Sequence, residues 1–207
     1  MICNLTAARF QLSSKHILLH ILLLYLPFQQ VFSQIEPFSQ VVISYDVSPK
    51  SNLMTPASQY WEVTKSNQLN FEFPFYWQYA NFRIQTSEFS GRTIDGSATP
   101  DFKEHYIALG WVARWQPIES MGIQIGLSLG DHSMVFSNEE IMGLKNENEF
   151  GVGIEGLIYV KLYQGIRLQS SYSKNMVFTS GRFQHESILI GLGYELNTPR
   201  FLMSFLK

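Results

Sequence analysis

Gly122-Ile123-Gln124-Ile125-Gly126-Leu127-Ser128-Leu129-Gly130 is the stretch that decides the fold. Its odd positions carry only isoleucine and leucine, and its even positions carry glycine, glutamine and serine. A period of two marks a strand with chemically opposite faces. A glycine-rich polar face set against a purely aliphatic one suits a small membrane-spanning barrel, with hydrocarbon outside and a crowded polar lumen inside. Arginine at position 127 is accordingly expected to impair membrane insertion far more than arginine at position 128.

The same alternation recurs on both sides of this stretch. It predicts eight strands, over about 40–48, 60–73, 79–89, 105–115, 122–135, 150–163, 166–178 and 184–196. The apolar face of the first carries Val41, Ile43, Tyr45 and Val47; that of the second carries Trp61, Val63, Leu69, Phe71 and Phe73. The last carries Ile188, Ile190, Leu192, Tyr194 and Leu196. Segments 74–78, 116–121 and 164–165 are short connections. Segments 50–59, 91–101 and 137–147 are longer and polar, and 179–182 lies on their side. Short turns at one end, longer loops at the other and an even strand count predict an all-β, antiparallel up-and-down transmembrane barrel.

The N-terminus has a different character. Arg9 and Lys15 are the only charges before an apolar block spanning 16–32, which Pro27 interrupts; Val31-Phe32-Ser33 at its end has small or branched residues at the −3 and −1 positions of a cleavage site. This reads as a secretory signal peptide over 1–33, leaving a barrel domain over 34–207; the alternative is an uncleaved anchor helix. N-terminal sequencing of the protein extracted from the envelope is expected to begin near Gln34, and a mature chain retaining 16–32 would refute the signal peptide. The single cysteine, Cys3, precedes the apolar block, so disulfide and thiol chemistry are not expected of the mature chain. Charged residues make up 15 % of the sequence, against ~25 % in soluble domains. A formal net charge of −2 gives no electrostatic case for nucleic acid.

Residues 38–196 resemble the small outer-membrane β-barrels of the OmpA/OmpX type. The resemblance is one of architecture and not of a sequence motif. It implies residence in the cell outer membrane, outer-membrane lipid around the wall, and delivery by the barrel assembly machinery. In such barrels the final strand commonly ends on an aromatic residue that this machinery reads; here the predicted last strand ends near Leu196, with 197–207 beyond it.

The face opposite the apolar one should line the lumen. It carries Asp46, Glu62, Glu72, Arg83, Arg114, Glu155, Lys161, Arg167 and Glu195, of nearly balanced sign. Buried unpaired charges are costly, and an eight-stranded barrel is just wide enough to be filled by side chains. A paired network of Glu72, Arg83, Arg114, Glu155, Lys161, Arg167 and Glu195 is therefore expected, with glycines on the same face making room; the alternative is a proton or ion path. Phe73, Phe75, Tyr76, Trp77, Tyr79, Trp111, Trp115 and Tyr163 cluster at the short-turn end. We read them as an interfacial aromatic girdle, represented by Tyr76, Trp77, Trp111, Trp115 and Tyr163. A soluble lipocalin-like ligand-binding barrel would use the same alternation with its apolar face inward. Scarce strand lysines and a glycine-rich polar face favour the membrane.

Candidate chemistry is thin. His185 and Ser187, with Glu195 on the same parity, resemble the His/Ser/Glu set of the outer-membrane lipid A deacylases. The Ser-Asn-rich surroundings of that family are absent, and the three residues read as lumen lining. His132 beside Asp131 lacks the three or four converging ligands of a metal site. Glu139, Glu140, Glu147 and Glu149 lack an Asp-x-Asp spacing for calcium and read as a solvated loop. No phosphate loop or nucleophile elbow is present. The expected function is non-enzymatic, without cofactor or metal: envelope integrity, or surface contact through the long loops with a ligand the sequence does not identify.

Overall fold

The computed structural model describes residues 36–76, 78–94, 96–137, 146–178 and 183–199. The predicted signal peptide, Trp77, Glu139 and Glu140 lie outside the described residues, as do positions 200–207.

Eight long strands form one closed antiparallel barrel. They are β1 (Gln40–Leu53), β2 (Trp61–Phe75), β3 (Gln78–Gly91), β6 (Phe102–Ile118), β7 (Met121–Phe136), β8 (Glu147–Lys161), β9 (Ile166–Val177) and β10 (Phe183–Asn197). Two short strands, β4 (Thr93–Ile94) and β5 (Ser97–Ala98), pair with each other inside the loop between β3 and β6. Each barrel strand pairs with its sequence neighbour in the wall, and β1 closes the circle on β10 with Val41 opposite Leu196. Closure removes the free edges that a flat sheet would leave unpaired.

Connections differ at the two ends for local reasons. Between β8 and β9 the chain turns through Gln164 and Gly165, with φ of 54° and 81°. Paired positive φ values are what a two-residue turn needs to follow the strand twist, and Gly165 adopts one without a Cβ penalty. At the opposite end the β1–β2 loop carries a single 3-10 turn, Ala57–Gln59.

The alternation sets the two faces. Ile125, Leu127 and Leu129 of β7 stand outward with 63 %, 58 % and 56 % of their surface exposed, while Gln124 and Ser128 are buried. Leu109, Ile158, Leu168 and Leu192 are exposed on other strands in the same way. An interior of charged and amide side chains beneath an exposed aliphatic exterior is the reverse of a soluble ligand-binding barrel. Trp111, Trp115, Tyr76 and Tyr163 are exposed toward the short-turn end.

Three sequence readings are corrected. A bulge between Val63 and Lys65 switches the faces of β2. Above it Trp61 and Val63 turn inward against the apolar cluster, and Glu62 turns outward to pair with Arg92 at 3.4 Å. Tyr79 belongs to the lumen and not to the girdle, because the odd positions of β3 point inward and its ring lies under Arg114. Glu147 and Glu149 belong to β8 and not to a loop.

Candidate functional site

The lumen is where the polar chemistry of this chain is concentrated. Near the short-turn end, Glu72 pairs with Arg114, lies 3.6 Å from Arg167 Nη1 and accepts a hydrogen bond from Gln124 Nε2 at 3.2 Å. The Arg114 guanidinium lies 3.7 Å above the Tyr79 ring centre, and that of Arg167 lies 5.1 Å from the Tyr159 ring centre. Ring faces carry negative potential, so the stacking supplements the carboxylate. Asp46 accepts from Asn70 at 3.1 Å and from Gln169 at 2.7 Å, and Arg167 Nε donates to Gln169 Oε1 at 2.7 Å.

Midway along the barrel, Arg83 pairs with Glu155 and donates from Nε to Asn70 Oδ1 at 3.3 Å. Gln68 Nε2 donates to the second oxygen of the same carboxylate at 3.1 Å. Lys161 and Glu195 pair with each other at 3.1 Å, half-buried at the short-turn rim and apart from this interior set. The structure thus brings Glu72, Arg83, Arg114, Glu155 and Arg167 together and leaves Lys161–Glu195 as a separate rim pair.

Glycine makes this packing possible. A Cβ on Gly193 would come 2.6 Å from Arg167 Nε, one on Gly122 2.3 Å from the Tyr159 ring, and one on Gly151 2.4 Å from the His132 ring. Each is closer than real side chains approach, so the long groups occupy space that these glycines vacate.

The long-loop half departs from the sequence reading. His132 Nδ1 lies 2.5 Å from Glu104 Oε1, and His185 Nδ1 lies 3.6 Å from Glu104 Oε2, all three side chains being buried. Above them the mouth is closed by Phe89, Phe102, Met134, Val177 and Phe183, with Trp61, Val63 and Phe136 packed alongside. Phe89 stacks on Phe102 at 4.3 Å. Glu104 was missed because the predicted strand began one residue after it. The apolar plug was missed because inward positions were expected to be polar throughout. The parity of β3, β6 and β10 nevertheless places Phe89, Phe102 and Phe183 inside.

His185, Ser187 and Glu195 do not form a catalytic set. Ser187 Oγ bonds to Ser51 Oγ at 2.8 Å, the carboxylate beside His185 is Glu104, and Glu195 sits at the opposite rim. Among the described residues no group of three or more His, Cys, Asp or Glu has the arrangement to hold a metal ion.

A closed eight-stranded barrel, aliphatic outside and filled with paired polar groups inside, has the fold of the small outer-membrane β-barrels. Within that class its fold matches the neisserial surface protein A, NspA, with a TM-score of 0.56 at 11 % identity, covering 78 % of this chain and 99 % of that one. It also matches the N-terminal β-barrel domain of OprF from Pseudomonas aeruginosa, with a TM-score of 0.51 at 8 % identity, covering 77 % and 99 %. At these identities the likeness is one of fold. No protein-family model and no curated protein matches the sequence.

Proposed function

We propose that this protein is a non-enzymatic component of the outer membrane, serving envelope integrity or surface contact through its long loops. The carrying observation is the filled lumen. Arg83–Glu155, the Glu72–Arg114–Arg167 group and the apolar mouth leave the barrel axis occupied at successive levels, so the wall is suited to anchoring and not to passage. Surrounding lipid and, during biogenesis, the barrel assembly machinery are the partners this reading requires.

The loop architecture supports a role outside the barrel. Trp61 Nε1 donates to Pro100 O at 2.9 Å, and Arg92 N donates to Tyr60 O at 2.8 Å, tying the β1–β2 loop to the β3–β6 loop. Asp101 accepts from Gly91 N at 2.8 Å and from Ser90 Oγ at 3.2 Å. Two loops tied to each other in this way present a shared surface at the barrel mouth.

Purified protein in a planar bilayer is expected to show no large, stable channels. Steady conductance at the level of a water-filled porin would overturn the reading and move the function to transport. A barrel with residues 54–60 and 92–101 replaced by tight turns separates the two roles. It should restore detergent resistance to a deletion strain if envelope integrity is the task, and should fail in surface binding if the loops are.

A further inference from the structure

We infer that the mouth is an acid-released latch: protonation of His185, added to the existing His132–Glu104 pair, loosens the aromatic cap while the barrel below stays closed.

The argument begins with hydrogen bonds. His185 Nε2 faces two amide nitrogens, Gln85 Nε2 at 3.1 Å and Asn175 Nδ2 at 3.2 Å. The same Asn175 nitrogen donates to Gln85 Oε1 at 3.1 Å, so in this arrangement of the two amides both NH2 groups face the imidazole. With the amides so arranged His185 Nε2 accepts, and the imidazole proton sits on Nδ1, 3.6 Å from Glu104 Oε2. A proton added to Nε2 would meet two donors.

Charge leads to the same result. The ionisable groups acting on His185 are Glu104 from β6 and His132 from β7; His105, on the outer face of β6, bonds to Thr86 at 3.4 Å. The elements β3, β9 and β2 present neutral Gln85, Asn175 and Ser66, while Arg83 of β3 is matched by Glu155 of β8. One carboxylate can balance one imidazolium. A second leaves net positive charge in a site with no exposure. The cap rests directly on His185, with Phe89 and Phe183 edge-on to its ring at 6.1 and 6.2 Å, and the lumen residue Tyr106 stacks on His132 at 3.9 Å.

Once the cap opens, the His185 imidazole is hydrated and titrates in the ordinary imidazole range near ~6.5. Below that range the open state binds more protons than the closed one. Cap stability is therefore intact above it and falls as the pH drops.

Trp61 reports the cap. With Trp77, Trp111 and Trp115 changed to Phe, it is the only tryptophan in the chain. Acrylamide quenching of its fluorescence, on the full chain in detergent micelles, is expected to rise several-fold and reversibly between about pH 7.5 and about pH 4.5, around the imidazole range. Heat-modifiable gel mobility should stay that of the closed barrel throughout. His185→Gln, which cannot take the proton, should abolish the transition. Glu104→Gln, which removes the balancing charge, should move it to higher pH. Constant quenching in the parent, an unchanged transition in His185→Gln, or loss of the closed-barrel mobility in the same transition would overturn the latch. The conductance test of the plugged barrel is independent of these outcomes.

Discussion

Arg83→Met is expected to destabilise the barrel by about 3–5 kcal/mol, the cost of leaving a buried carboxylate without its partner. Arg83 is 2 % exposed, and among the described residues its loss leaves Glu155 with the Gln68 amide as its hydrogen-bond donor. Asn70 Oδ1 loses a donor as well. Urea unfolding from lipid vesicles measures the change. The double variant Arg83→Met with Glu155→Leu should recover most of the loss, because it removes the stranded charge as well as the bond. Arg114→Ala should cost less, since Glu72 keeps Arg167 and Gln124. A double variant no more stable than Arg83→Met alone would disprove the pairing argument.

Leu127→Arg is expected to cost about 2–4 kcal/mol in a bilayer, the penalty for arginine at the membrane midplane on the lipid face. Leu127 stands between Trp111 and Ile154 on that face. The structure changes the comparison with position 128. Ser128 is buried, its Oγ lies 3.0 Å from Tyr106 OH, and it fills the space beside Gly153. Arginine there has no room, so Ser128→Arg is costly by overpacking and not by lipid exposure. The two variants separate by medium: Leu127→Arg should fold better in detergent micelles than in vesicles, and Ser128→Arg should fold poorly in both. Equal folding of Leu127→Arg in the two media would refute its lipid-facing assignment.

The strands were legible because a wall with lipid on one side and a polar lumen on the other imposes the two-residue period on nearly every strand. The clearest run, 122–130, lies entirely within β7. Legibility ended where the geometry departs from a perfect ladder. The bulge after Val63 turns Trp61 into the mouth and Glu62 out of it, and a single extra residue carries no signature in composition. The odd parity of Tyr79 was available, but its place beside other aromatics made it read as girdle.

By itself the sequence determined the antiparallel barrel, the number of its strands, the inward glycines and the near balance of charge inside. These follow from local alternation and from the cost of polar groups in hydrocarbon, which each strand meets separately. Only the tertiary structure decided which charge meets which across the lumen: Arg83 with Glu155 from β8, and Arg114 and Arg167 both with Glu72 from β2. Pairing across the lumen depends on the register of strands far apart in sequence and on how closure rotates them toward the axis. The period within one strand holds no record of either.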